Sequence, residues 1–267
     1  MMTKEQLIQQ LIDMGITPAD TVVIHSSMKA ISEVEGGAET VIEAFSDYLN
    51  EGLFVVPTHT WANVNAEQPI FDRKQTPSCI GLIPNTALNA PGALRTLHPT
   101  HSIVAIGKDA PSYIEGEEKC TTPTPQGSCW ARLYERKAKI LLLGVGQGRH
   151  TYLHAVEEEL EIPNRLAPKS IRLEVKDAGE HINYVDFHPH EHPTLINMSD
   201  RYVKFEKPFA YLGALKYGTF GAAPVQICDA VGCHDIMSML WKKADYDLTE
   251  DFSDIPEEWY MKTSDRN

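Results

Sequence analysis

Short apolar runs separated by polar loops, many of them marked by glycine or proline, set the pattern of this 267-residue chain. The opening segment places Leu7, Ile8, Leu11 and Ile12 on one face, the spacing of an amphipathic helix. After Gly15 and a turn at Pro18-Ala19-Asp20, the β-branched run Thr21-Val22-Val23-Ile24-His25 predicts a strand. A helix follows Gly36-Gly37, with apolar positions at 41, 42, 45 and 49. Leu53-Phe54-Val55-Val56-Pro57 predicts a second buried strand, ending in the polar loop Thr58-His59-Thr60. The polar stretch from Ala62 to Ser78 reads as a long surface loop.

Further strands are expected over 102–107 and 139–145, with helices over 83–88, 129–136 and 151–160, the last starting on a Thr151 cap. The runs 171–175 and 182–185 alternate in period two around Asp177-Ala178-Gly179, which predicts a β-hairpin. Strands alternating with helices define an α/β chain: an open central mixed sheet flanked by helices, with an additional β-hairpin region in the C-terminal half. Residues 1–267 are read as a single domain, and the acidic tail from Asp251 to Asn267 as peripheral.

Composition narrows the function classes. With 42% hydrophobic and 23% charged residues the chain has an ordinary globular balance. Its apolar runs, such as Ile140-Leu141-Leu142-Leu143, fall far short of the roughly 20 residues that span a membrane. The first helix lacks the uninterrupted apolar core of a secretory signal, so a cytoplasmic location is expected. Five cysteines without a CxxC pair point to reduced thiols. The 24 basic against 37 acidic residues give a net charge of −13, a field that repels nucleic acid and attracts a polycationic small molecule. Solubility alone accounts for such a charge, and is the more ordinary reason for it.

Several polar groupings can carry chemistry. Thr151, His154 and Glu157 recur every third residue, on one side of the predicted helix just beyond a strand end. A neutral imidazole there can take a proton from an attacking amine, and a carboxylate can orient it. The same spacing also describes a solvated helix face. Arg95 and the turn His98-Pro99-Thr100-His101-Ser102 gather polar groups before a strand, and His25-Ser26-Ser27 with Gly36-Gly37 is placed for an anion. Asp186 is a further candidate carboxylate. In extended backbone His188, His190 and His192 share one face, as three metal ligands would, although Pro189 and Pro193 argue against a regular strand.

Read in order, these motifs resemble the aminoglycoside 3-N-acetyltransferase family, also called the antibiotic N-acetyltransferase family. The resemblance rests on Val22–Met28 with Gly36-Gly37-Ala38, Gly52–Thr58, Arg95–Ser102, Gly127-Ser128-Cys129, and Leu141–Gly146 followed by Thr151–Glu157. It implies direct acetyl transfer from acetyl-CoA to an amine, typically the 3-amino group of a deoxystreptamine ring. His154 would be the general base, Glu157 its support, and Asp186 a group that holds the substrate ammonium or assists the base. Ser26, Ser27, Gly36, Gly37, His98 and Ser102 would line the CoA groove. The segment His188–His192 departs from the acidic run expected there. Two other readings stay open: a metal-dependent hydrolase built on His188, His190 and His192, and, on the fold the resemblance implies, a non-catalytic CoA-binding protein.

Overall fold

The computed structural model describes residues 1–245, 247–248 and 253–265. Helix α1 (Lys4–Asp13) begins with a reciprocal capping box between Thr3 and Gln6. It leads into β1 (Thr21–Ser26), α2 (Met28–Ile31), α3 (Ala38–Tyr48), β2 (Leu53–Pro57), β3 (Ile70–Asp72), α4 (Leu82–Ala87), β4 (Leu94–Arg95) and β5 (Ile103–Gly107). Then come α5 (Ala110–Tyr113), α6 (Arg132–Glu135), β6 (Lys139–Leu143), α7 (Tyr152–Glu159), β7 (Ile171–Asp177) and β8 (Glu180–Phe187). The chain continues through α8 (Glu206–Tyr211), β9 (Leu215–Phe220), β10 (Ala223–Asp229) and α9 (Ala230–Lys243).

Seven strands form one sheet in the order β4-β5-β2-β1-β6-β10-β9. Its centre is parallel, β1 lying between β2 and β6, and both flanks are antiparallel. The mixed sheet expected from the strand–helix alternation is therefore present. Alternation along the central strands divides the core. Val23, Val55, Ile140 and Leu142 pack with α7 and α9 on one face, whereas Val22, Ile24, Phe54, Val56, Leu141 and Leu143 pack with α1 and α3 on the other.

The predicted hairpin is β7–β8. Ala178 and Gly179, with φ of 51° and 88°, turn it between the paired residues Asp177 and Glu180, the left-handed pair of a two-residue loop. It belongs to a second sheet, β3-β7-β8, whose third strand lies inside the stretch expected to be a surface loop. Phe71 is the reason: its ring is fully buried with Leu173, Val175 and Phe187. One glycine is required by close approach: Gly144, φ 68°, ends β6 where an added Cβ would lie 2.2 Å from Ala30 Cβ.

Two other expectations are corrected. The tail is not merely peripheral, because Ile255 and Tyr260 join the core against α9; Asp251, Phe252, Arg266 and Asn267 lie outside the described residues. Thr151 precedes α7 in helical conformation and makes no side-chain cap. Its hydroxyl instead meets His59 Nε2 at 3.1 Å.

Candidate active site

The C-terminal ends of β1, β2 and β6 feed one polar cluster on the α7 face of the sheet. Beyond β2, Thr58 N–H and Thr60 N–H donate to Ser102 O and Thr100 O, both at 2.8 Å, which carries the β2–β5 pairing into the loops and fixes His59 opposite His101. The 98–101 turn is closed by His98 Nδ1, which accepts from the backbone N–H groups of Thr100 at 3.2 Å and His101 at 2.9 Å. His98 Nε2–H then donates to Thr122 O at 3.1 Å. Both ring nitrogens of His98 are thus committed to protein groups.

A row of imidazoles results. The rings of His59 and His101 lie 4.7 Å apart, those of His101 and His190 5.4 Å, and those of His190 and His154 4.2 Å. Burial favours the uncharged ring and holds His59 down to about 3, with further repulsion from neighbouring imidazoles. Burial likewise lowers His98 and His190 to about 4, and His25 and His101 well below the usual range. These rings bind fewer protons folded than unfolded between pH about 4 and about 6.5, so stability is full above that window and falls as pH falls through it. Each such histidine contributes a slope of up to about 1.4 kcal/mol per pH unit. Urea unfolding at pH 7 and pH 5 is expected to show a lower midpoint at pH 5; equal midpoints would rule out neutral burial of His59, His98, His101 and His190.

His154 ends the row, and its surroundings are the most organised part of the cluster. Its Nδ1 lies 2.7 Å from the Tyr202 hydroxyl, which donates to Glu157 Oε2 at 2.5 Å. Glu157 Oε1 is 3.2 Å from Arg165 Nε, and the guanidinium stands 5.6 Å over the Trp241 ring. Burial alone would raise the Glu157 carboxyl; the His154 contact, the Arg165 charge and the Tyr202 hydroxyl outweigh it and hold the group below its ordinary range. The side chain of His154 keeps 12% exposure, against 1% for Glu157. Among the described residues, no hydrogen bond to His154 Nε2 is present.

A second histidine–carboxylate pair stands beside the first. Glu158 Oε1 lies 3.4 Å from His190 Nε2 and also accepts from Thr124 N at 2.8 Å and Thr124 Oγ1 at 2.6 Å, while Oε2 accepts from Thr122 Oγ1 at 2.5 Å. Consecutive glutamates of α7 therefore serve two adjacent histidines, His154 on α7 itself and His190 from the segment after β8.

Other nominated residues are dispersed. Asp186 is not brought to His154: its side chain is 65% exposed and pairs with Arg172 across the hairpin. His188, His190 and His192 do not converge. His188 Nδ1 donates to Ala167 O at 2.8 Å, and His192 Nδ1 accepts from the N–H groups of Thr194 and Leu195, each at 3.2 Å. Among the described residues no group of three His, Cys, Asp or Glu side chains is placed to hold a metal ion, which corrects the metal-site reading. Ser102 is buried and bonded to Thr58 and Arg95. Ser27 caps α2 through Ala30 N at 3.3 Å, next to the half-buried Ser26. Gly36 and Gly37 open α3, which packs on the opposite face of the sheet from the histidine row.

Sequence reasoning missed Tyr202, Arg165, His59, His101 and Glu158 as partners in the cluster. His59 and His101 carried a usable signal, polar loops at strand ends; Tyr202 had none, since it sits in a 3₁₀ helix over Met198–Phe205 far from His154 in the sequence.

The comparisons with known proteins agree with this architecture. The family model for aminoglycoside 3-N-acetyltransferases matches residues 23–241, and the chain belongs to that family. It is 31% identical over 163 residues to aminoglycoside N(3)-acetyltransferase IV from Salmonella sp, a match covering 60% of each chain. Against aminoglycoside N(3)-acetyltransferase VIII from Streptomyces fradiae it is 29% identical over 181 residues, 61% of this chain and 63% of that one. The chain thus spans about three fifths of the length of the curated relatives it matches, 60% and 63% in these two. In fold it is similar to the crystal structure of aminoglycoside acetyltransferase AAC(3)-IIb, with a TM-score of 0.78, 23% identity and coverage of 94% of this chain and 99% of that one. A similar likeness, TM-score 0.75 at 23% identity over 91% of this chain and 97% of the other, holds for AAC-IIIb in its binary complex with CoASH. No helix among the described residues is long and apolar enough to cross a membrane.

Proposed function

We propose that this protein transfers the acetyl group of acetyl-CoA directly to an amine, the 3-amino group of an aminoglycoside or a related amine, with His154 as general base. The observation that carries the reading is the tether at His154 Nδ1, 2.7 Å from the Tyr202 hydroxyl, which leaves Nε2 as the basic atom of a side chain still partly open to solvent. The amine nitrogen attacks the thioester carbonyl, the C–N bond forms, the C–S bond breaks, and CoA leaves as the thiolate. The amine proton goes to Nε2, and the Tyr202–Glu157 pair supports the imidazolium electrostatically.

Family membership supports the acyl-transfer chemistry, as do relatives described as bound to CoASH and, for AAC-VIa, to sisomicin. Of the residues expected to line the CoA groove, Ser26 remains the candidate: His98 and Ser102 satisfy their polar atoms within the protein, Ser27 caps α2, and Gly36 and Gly37 open α3 on the face opposite the histidine row. Free thiol released from acetyl-CoA, measured across a panel of aminoglycosides and simple amines, tests the proposal. Release that rises with one class of amine, accompanied by a mass gain of one acetyl group on that amine, is the expected result. CoA binding without transfer to any amine would leave the non-catalytic reading.

A further inference from the structure

We infer that Tyr202 is a positioning residue for His154: its phenol, inserted between imidazole and carboxylate, sets which ring nitrogen carries the proton. The inference rests on the acetyl-transfer reading above and adds a residue from a segment with no recognisable motif. The hydrogen bonds leave little freedom. Tyr202 has one O–H, and its oxygen stands 2.5 Å from Glu157 Oε2 and 2.7 Å from His154 Nδ1. A carboxylate has no proton to give, so the phenol O–H goes to Glu157. The phenol oxygen is then an acceptor toward the imidazole, and Nδ1 must carry the hydrogen. The lone pair falls on Nε2, the nitrogen proposed to take the amine proton.

Three features hold this polarity. Glu157 stays ionised beside Arg165, 3.2 Å away, so the acceptor at the end of the relay is fixed. Burial, followed by the charge of Glu157, pushes the Tyr202 phenol well above its usual range and keeps it protonated as a donor. The ring is immobilised: fully buried, edge-on to His154 at 5.0 Å and packed against Phe205 at 6.3 Å. The direct line from His154 Nδ1 to Glu157 Oε2 is 3.6 Å, beyond a good hydrogen bond. The phenol therefore completes a connection that the helix spacing from residue 154 to residue 157 leaves open.

The full-length protein, labelled with ¹⁵N-histidine, reports the tautomer without any substrate. The His154 resonances, identified as those lost in His154→Ala, are expected to show a protonated Nδ1 and a bare Nε2 at mildly alkaline pH. In Tyr202→Phe, which keeps the ring and removes the hydroxyl, the Nε2–H form should become populated. In the same variant kcat for acetyl transfer should fall about ten-fold or more while KM for acetyl-CoA stays within about two-fold, since positioning of a base acts on the chemical step. A wild-type His154 with Nε2–H, an unchanged tautomer in Tyr202→Phe, or wild-type kcat in that variant would each overturn the inference. Absence of acetyl transfer by the wild type would instead remove the underlying reading, and the NMR result on Tyr202 would still stand or fall by itself.

Discussion

Replacing His154 by alanine is expected to lower acetyl transfer by about 10²- to 10⁴-fold, the range a positioned general base supplies. The side chain is at the end of the histidine row with 12% exposure, and its truncation leaves the α7 core contacts of Leu153 and Val156 in place. Acetyl-CoA affinity, read by calorimetry, should therefore change little. Turnover within a few-fold of wild type would remove His154 from the base role and shift attention to His190, whose ring lies 4.2 Å away.

The largest effect on stability is expected at Arg165. Arg165→Met keeps an unbranched apolar side chain and removes the guanidinium that stands over Trp241 and faces Glu157, whose side chain is 1% exposed. An uncompensated buried carboxylate costs about 3–5 kcal/mol when its partner is lost, whereas a surface pair would cost about 1 kcal/mol or less. Urea unfolding should show a large fall in midpoint at unchanged slope. A loss near the surface-pair value would mean that Tyr202 and His154 alone satisfy Glu157.

The parts of this molecule that were legible in the sequence are those written in local pattern. The runs at 21–25, 53–57 and 139–143 are β-branched or leucine-rich, and they became the parallel centre of the sheet. The Ala178-Gly179 turn announced β7–β8 because it needs two left-handed residues in succession. Elsewhere local pattern was silent. Gly218 in β9 and Pro224 in β10 break the alternation, so that edge hairpin emerges from the pairing of β10 with β6.

The candidate site divides in the same way. His154 and Glu157 share one helix turn, so their proximity could be read from spacing. The bonds from Tyr202 to residues 48 and 45 positions away could not. His188–His192 misled for a related reason: only His190 enters the cluster, while His188 bonds Ala167 O and His192 accepts from the loop amides of Thr194 and Leu195. Asp186 alternates outward on β8 to meet Arg172, the opposite of what a substrate-holding carboxylate beside His154 requires.

The central claim is direct transfer to an amine assisted by His154, and it is tested most directly by following thiol release and acetylated amine in one reaction, with and without the amine. The account predicts one thiol per acetylated amine, dependence on the amine, indifference to chelators, and loss of both products in His154→Ala. Thiol release without amine, or equal product formation by His154→Ala, would contradict it.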